Sequence, residues 1–525
     1  MRAFLCVSVI FVSVLAGFSQ AGRKDAVAFD ADFMPALFAD ADRLEKIKKT
    51  FPAIEKVWRE HASRNNYPGI AYGIVVDGKL VFSGSDGFSN LERKTPATTS
   101  TLFRIASMSK SVTAMAIMKL RDEGKLRLDD PVYRYVPEMK GQRYLTSDST
   151  HVTIRDLLTH GAGFPEDNPW GDRQLADTNR ELTEFLNKGI QFSNPPGVAY
   201  EYANLGFALL GRIITKASGK PYQRYIRDSI WRPLGMPTSE WEYTNISPDK
   251  LAHGYRWQGG KWIEEALLND PADGSWGAMG SMISSIDEFS RYMALHMSAW
   301  PASNDADAGP VKRASVREMH HPWRFIGLSP NFAYPGTGRV CATTSAYGYG
   351  INWMRDCERR VYIGHGGGLP GFGSHWRVMP EYGIGIVAFA NVTYAGLGNI
   401  NLQILDQIIR EAGLKPREIP VSPILAQRKA ELLKVIPAWE NAEKSGIFAE
   451  NFFPDNPVDL LKPRYADLWA KAGRIVSVGE IVPENQLRGR FVIEGEKANI
   501  EVFFTLSPEN PPLIQQLNVR EIPKR

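Results

Sequence analysis

Phe103–Lys119 reads FRIASMSKSVTAMAIMK, and the reading of this stretch decides the fold. Ser107 and Lys110 stand three positions apart, while Met108, Val112, Met115, Ala116 and Leu120 recur at helical spacing. The pattern predicts a buried helix with Ser107 in its first turn and Gly124 as its C-terminal stop. Residues i and i+3 share a helix face about 5–6 Å apart, so the lysine amine reaches the serine hydroxyl. The helix N-terminus favours negative charge developing at that point. Burial disfavours the ammonium form, and a neutral amine beside a hydroxyl activates it as a nucleophile. The same spacing recurs at Ser247 and Lys250, where Ser247-Pro248 reads as an N-cap and first helical residue, so no chemistry is assigned there.

A length of 525 residues predicts two or three domains, and 43% hydrophobic with 23% charged residues is ordinary for a globular chain. A net charge of +4 gives no basis for nucleic acid or an anionic membrane as a partner. Arg2, the apolar run Phe4–Phe18 and the small residues Ser19 and Ala21 predict a signal peptide over 1–21, the alternative being an uncleaved anchor. An exported protein, periplasmic or secreted, without stable membrane insertion is expected. Cys6 lies in that segment, leaving Cys341 and Cys357. A disulfide between them and two free buried thiols are both open readings.

Outward from the central helix, Arg43–Arg64 is amphipathic, with Pro52 kinking or splitting it. Ile70–Val76 and Lys79–Ser83 form a hairpin around Asp77-Gly78. Helix, hairpin and helix in succession suggest an antiparallel sheet with a helix against it. Thr153–Thr159 predicts a helix capped by Thr153, Leu205–Ala217 another, and Ser285 with Glu288 the start of a third. Pro165–Arg180 is irregular, and Pro301–Val340 predicts a long loop region. Tyr347–Met354, Val361–His365, Ser374–Met379 and Ile384–Ala390 read as strands, followed by a helix over Ile400–Glu411. Prolines 416, 420 and 423 mark a linker. The resulting division is a main domain over 22–415, a Pro-rich linker over 416–423 and an α+β accessory domain of unassigned role over 424–525. No catalytic cluster is read in the last segment, for which an accessory or a dimerisation role is the reading.

Two further stretches carry chemistry. In Tyr202-Ala203-Asn204, a phenol whose pKa is lowered by a nearby lysine charge relays a proton, and the amide orients a substrate; the alternative is a turn tyrosine and a helix N-cap. In Gly364-His365-Gly366-Gly367-Gly368, glycines let backbone N–H groups approach a substrate oxyanion and His365 adds a donor; the alternative is a glycine-rich turn with a structural histidine. A Gly-x-Ser-x-Gly elbow is absent, which sets aside the α/β-hydrolase fold. Absence of HExxH, CxxC and P-loop patterns leaves metal-dependent and nucleotide chemistry without support, and no metal or cofactor is expected. Trp170 and Trp276 are candidate pocket residues or packing residues.

FRIASMSKSVTA, TIRDLLTHGAGF, YEYANLGFALLGRII and IGHGGGLPGF, in that order, resemble the serine β-lactamase and penicillin-binding-protein superfamily. The resemblance is to the branch of class C β-lactamases, D-Ala-D-Ala carboxypeptidases and esterases, and spans roughly residues 57–414. It implies an α/β (α+β) fold: an antiparallel sheet flanked by helices plus a mostly helical subdomain. It also implies Ser107 as nucleophile, Lys110 as activator, Tyr202 as relay and Asn204 as substrate-orienting amide. His365, Gly366 and Gly367 stand at the family's Lys-Thr-Gly motif, and the N–H groups of Ser107 and Gly368 at its oxyanion hole. Here His365 replaces Lys and Gly366 replaces Thr, removing the cation and hydroxyl that bind a substrate carboxylate. The reading is therefore a serine hydrolase forming an acyl-enzyme on small-molecule or peptide esters or amides with a reactive carbonyl. The alternatives are a β-lactamase or D-Ala-D-Ala carboxypeptidase, and a non-catalytic binding protein on the same fold. Oligomeric state and substrate are not set by the sequence.

Overall fold

A computed structural model describes residues 30–266 and 274–524. The signal segment expected over 1–21 lies outside the described residues. No helix among the described residues is long and apolar enough to cross a membrane.

Helix α1, Arg43–Arg64, buries Ile47, Phe51, Ile54 and Trp58 on one side and stays a single helix through Pro52, so the expected split does not occur. Packing of that apolar face offsets the missing proline N–H. Strand β1, Gly69–Val76, is buried along its whole length, as a central strand must be. It turns into β2, Lys79–Asn90, through Asp77 and Gly78, whose φ values of 49° and 77° are those of a type I′ hairpin turn. After β3, Thr95–Pro96, the chain forms a short 3₁₀ turn over Ala106–Met108 and then α2, Ser109–Asp122. Gly124, at φ 71°, follows the end of α2. Helices α3, Ile154–Leu158, α4, Asn204–Ser218, and α5, Ile286–Ser298, surround α2 and one face of the sheet. Thr153 caps α3 through a reciprocal bond with Asp156, and Ser285 caps α5 by accepting from the Glu288 N–H at 3.2 Å.

Strands β4, Arg324–Ala333, β5, Val340–Tyr347, β6, Asn352–Asp356, β7, Val361–Leu369, β8, Phe372–Met379, and β9, Ile384–Ala390, complete the sheet before α6, Leu397–Glu411. The order is β3-β2-β1-β9-β8-β7-β6-β5-β4, antiparallel throughout. Alternation along β1 and β9 sorts two cores. Ala71, Val75, Val387 and Phe389 join the core of α2, α4 and α5, whereas Tyr72, Ile74, Ile386 and Ala388 join that of α1 and α6.

Three boundaries differ from the sequence expectation. Residues 301–340 are not a long loop but contain a helix, Arg313–Met319, and edge strand β4. Phe325 and Leu328 of β4 are exposed, so burial imposes no alternation on its sequence. The strand expected over 347–354 is two strands, separated by a turn in which Gly350 has φ 66°. The stretch Gly364–Gly368 is not a turn but lies within β7. Cys341 and Cys357 form a disulfide with a Cα separation of 5.7 Å, linking β5 to the turn after β6.

Beyond the prolines, helices Pro423–Val435 and Val458–Ala472 pack on strands β10, Ile475–Val478, β11, Val482–Asn485, β12, Arg488–Gly495, β13, Asn499–Leu506, and β14, Ile514–Ile522. Leu425, Trp439, Phe491 and Val502 belong to a core of their own.

Five histidines, His160, His296, His320, His365 and His375, are buried, and burial depresses the pKa of each, to about 3 for His296 and His365. In one chain of bonds, the Trp300 indole donates to His320 Nδ1 at 2.8 Å, and His320 Nε2 lies 2.8 Å from His296 Nδ1. Both rings must therefore be neutral, and the N–H left on His296 Nε2 has no partner. An unfolded imidazole takes its proton near pH 6.5; these take theirs only at lower pH. The unfolded state thus binds more protons as pH falls from 6.5, at up to about 1.4 kcal/mol per pH unit for each histidine. Asp167 and Asp172, whose pKa values are raised by burial, act with the opposite sign nearer the carboxylate range. The Tm is expected to drop steeply between pH 6.5 and 4.5 in a thermal-melt series. A Tm constant across that interval contradicts this account.

Candidate active site

The segment before α2 is held on three sides. The Ile105 N–H donates to Met282 O at 2.9 Å, Ser374 Oγ donates to Ile105 O at 2.7 Å, and Ser109 Oγ donates to Ala106 O at 2.6 Å. Ala106 adopts φ 50°, a left-handed conformation costing about 1–2 kcal/mol for a residue with a Cβ. That kink sets Ser107 in the 3₁₀ turn leading into α2 rather than within the α-helix itself, 8% exposed on the wall of a cleft of about 540 Å³.

Lys110, one turn on, is completely buried. Its Nζ lies 3.0 Å from Ser107 Oγ and donates to Asn204 Oδ1 at 2.6 Å and Met279 O at 2.9 Å. Desolvation lowers its pKa to about 7, against the attraction of Asp172 and Asp167. The partner set suits the neutral amine: two N–H bonds go to two carbonyl oxygens, and the lone pair faces the serine hydroxyl.

The Tyr202 ring centroid lies 4.8 Å from Lys110 Nζ. Its pKa is not lowered as expected from the sequence; burial raises it well above 10, and the hydrogen bond with Ser107 offsets this only in part. The group is therefore a neutral phenol at ordinary pH. Asn204 is the first residue of α4, with Ala203 at the N-cap position. Its side chain accepts from Lys110 and donates to Asn168 Oδ1 at 2.7 Å. The Asp167 carboxylate accepts from the N–H groups of Asn204 at 2.6 Å and Leu205 at 2.9 Å, serving the orphan donors of that helix end.

His365 lies in β7 and does not offer a free donor to the cleft. Its Nε2 pairs with the Tyr347 hydroxyl at 2.8 Å and its Nδ1 with Gly366 O. With a pKa depressed to about 3 by burial and by Lys110, it is a neutral ring whose Nδ1–H donates to that carbonyl. Gly366, Gly367 and Gly368 line the cleft beside Ser107. At Gly366 a Cβ would have room, its nearest neighbour being His375 Cδ2 at 3.6 Å. At Gly367 it would sit 2.3 Å from Ile105 O and 2.4 Å from Ser374 Oγ, atoms that fix the turn carrying Ser107. Gly367→Ala is therefore expected to destabilise the fold by about 1–3 kcal/mol and to cost more activity than Gly366→Ala. Paired melts and turnover assays check this, and equal effects at the two positions contradict it.

Sequence reasoning passed over Asp167, Asn168, Asp172 and Tyr394. The first three lie in the irregular stretch Pro165–Arg180, where Asp-Asn-Pro-Trp-Gly-Asp packs polar groups into a loop; that density was the available signal. Trp170 and Trp276 stack edge-on at 5.5 Å and lie outside the cleft lining. Ser247 and Lys250 sit on an exposed turn closed by the Lys250 N–H to Ser247 O bond.

The Beta-lactamase family model matches residues 53–407 of this chain. Protein flp of Staphylococcus aureus (strain N315) is 27% identical over 379 residues, covering 72% of this chain and 69% of its own. Beta-lactamase-like protein 2 of Dictyostelium discoideum is 26% identical over 501 residues, covering 88% and 84%. Among solved structures, the octameric penicillin-binding protein homologue from Pyrococcus abyssi aligns with a TM-score of 0.58 at 22% identity, over 89% of this chain and 99% of that one. A class C beta-lactamase aligns with a TM-score of 0.53 at 22% identity, over 70% and 98%. These two structures share the fold of this chain.

Proposed function

Because the chain belongs to the Beta-lactamase family, within the superfamily of β-lactamase-like and penicillin-binding-protein-like serine hydrolases, we propose that it hydrolyses ester or amide substrates through a covalent acyl-enzyme on Ser107. The observation that carries this reading is the buried Lys110 amine, 3.0 Å from Ser107 Oγ with its other two bonds committed to carbonyl oxygens. In the first step the Ser107 hydroxyl attacks the substrate carbonyl carbon and its proton passes to the neutral Lys110 amine. The oxyanion is held by the N–H groups of Ser107 and Gly368. The Tyr202 phenol, protonated and bonded to Ser107, carries the proton onward to the leaving group. Water then takes the place of the leaving group, and the acyl group departs as a carboxylic acid.

Ester or amide substrates without an essential carboxylate are favoured by the neutral His365 and the side-chain-free Gly366, which present neither cation nor hydroxyl. The expected export is supported by the N-terminal pattern and by the Cys341–Cys357 disulfide, a bond characteristic of oxidising compartments.

The test is intact-protein mass after exposure to a fluorophosphonate and to a penicillin, with turnover of p-nitrophenyl butyrate and nitrocefin alongside. A fluorophosphonate adduct on Ser107 with ester turnover is the expected result. Stable penicillin acylation or nitrocefin turnover exceeding ester turnover replaces this reading with a penicillin-binding protein or β-lactamase. No adduct from either probe makes the chain a non-catalytic binder.

A further inference from the structure

Among the described residues, the cleft beside Ser107 is lined by a carboxylate, Asp172, that the acyl-transfer steps do not use. Asp172 lies in the 3₁₀ turn Gly171–Arg173 and is 3% exposed. Gly171 seats that turn against α4: a Cβ there would come within 2.8 Å of Asn204 Nδ2. The Tyr394 hydroxyl donates to Asp172 Oδ2 at 3.1 Å. Among the described residues, Oδ1 has no hydrogen-bond partner and is not sealed from solvent, and no cationic side chain lies within 4 Å of the carboxylate. A buried carboxylate with no cation in contact is costly, and the cations that favour its charge, Lys110 and Arg173, stand beyond ion-pair distance. Here the open side is the cleft itself.

The remaining walls sharpen the point. His365, Asn168 and Asn352 are uncharged at neutral pH, and among the described residues no Lys or Arg side chain lines the cleft. Lys110 is sealed behind Ser107 by its three partners. A substrate carboxylate would meet the Asp172 carboxylate and, among the described lining residues, no Lys or Arg side chain in contact. A substrate ammonium would find Asp172 Oδ1 as acceptor, with the half-exposed Tyr394 ring beside it as an aromatic face. Burial and Asp167 raise the Asp172 pKa while Lys110, the Tyr394 hydroxyl and Arg173 hold it down; an arriving ammonium would favour the ionised form further.

Resting on the acyl-enzyme reading above, we propose that Asp172 is the specificity residue of this site and selects esters or amides that carry a positively charged amino group near the scissile carbonyl. The natural substrate class would then be aminoacyl-type esters or amides, in place of the carboxylate-bearing substrates that a Lys-Thr-Gly strand receives.

The test compares kcat/KM of the full chain for p-nitrophenyl esters matched in size and differing in charge: β-alanyl against butyryl, alanyl against isobutyryl, and succinyl as the anionic member. Each ratio is corrected for spontaneous hydrolysis and measured for wild type and Asp172→Asn, with fluorophosphonate labelling of Ser107 in parallel. Ratios are used because Asp172 also biases the Lys110 amine, an effect common to all esters. The expected wild-type preference is about tenfold or more for at least one ammonium ester over its neutral partner, with succinyl the poorest. Asp172→Asn should bring the cationic and neutral members within about twofold, through KM more than kcat. Tyr394→Phe, which keeps the ring and removes the donor, should retain the preference. Butyryl turnover and Ser107 labelling without a charge preference, or a preference unchanged in Asp172→Asn, overturn this inference and leave the hydrolase reading intact. No labelling and no turnover of any ester overturn both.

Discussion

Replacing Ser107 by Ala is expected to abolish covalent labelling and to lower ester turnover at least about 10³-fold, with the Tm nearly unchanged. The expectation follows from what the hydroxyl does and does not touch. Ser107 is the residue of the site whose oxygen meets both Lys110 Nζ, at 3.0 Å, and the Tyr202 phenol. Among the described residues lining the cleft, Ser107 carries the hydroxyl bonded to the Lys110 amine. The fold depends on it far less. The turn is secured by Ile105, Ser109 and Ser374, and Lys110 keeps its bonds to Asn204 and Met279 when the hydroxyl is removed. Net loss of one hydrogen bond is about 1 kcal/mol, so a melt within a few degrees of wild type is the control. Retained turnover together with lost labelling would place the nucleophile elsewhere and end the mechanism given above.

The second large effect concerns Lys110. Its pKa of about 7 implies that log kcat/KM rises with unit slope below that pH and levels off above it, because only the neutral amine can take the Ser107 proton. Tyr202, pushed well above 10, contributes no ionisation in the same range. The rate of inactivation by a fluorophosphonate should follow the same limb, since it samples the same nucleophile. Lys110→Met fills a similar volume and carries no base; a loss of about 10²–10⁴ in kcat/KM is expected, with the limb near pH 7 abolished. The wild-type profile stands as a test even where the variant is destabilised by leaving Asn204 Oδ1 and Met279 O without their donor. The sign for stability is separate. Folding holds this lysine neutral above pH 7, whereas the unfolded chain keeps it charged to about 10.5. Its burial therefore costs most at and below pH 7, and the cost recedes as pH rises toward 10.5. A wild-type profile flat from pH 5 to 9 would remove Lys110 as the base.

How far the sequence could be read varies with how local each feature is. Ser107 and Lys110 are one helical turn apart, so their spacing alone brings the side chains together. Asp77-Gly78 is a turn whose two residues tolerate positive φ, and the hairpin follows without reference to the remainder of the chain. Helix Arg43–Arg64 announces itself because one of its faces is buried and the other is not. Strand β4 escapes the same reading: it is an edge strand with both faces largely in solvent, so no burial pattern is written into it. The glycines 364–368 escape it too, because side-chain-free residues suggest a turn until the neighbouring strand β8 is in place to pair them.

The sequence itself determined which groups stand together locally: a serine with a lysine one turn away, a Tyr-Ala-Asn before a helix, and a Gly-His-Gly-Gly-Gly run. These are properties of short segments, and short segments carry their own geometry. The electrostatic state of those groups was decided by tertiary structure. Lys110 loses its proton near pH 7, Tyr202 keeps its own far above it, and His365 stays neutral, because each lies beneath other segments that exclude water. Asp172 reaches the cleft from a loop 65 residues away in sequence from Ser107, and its charge matters there because folding removes the solvent that would otherwise screen it.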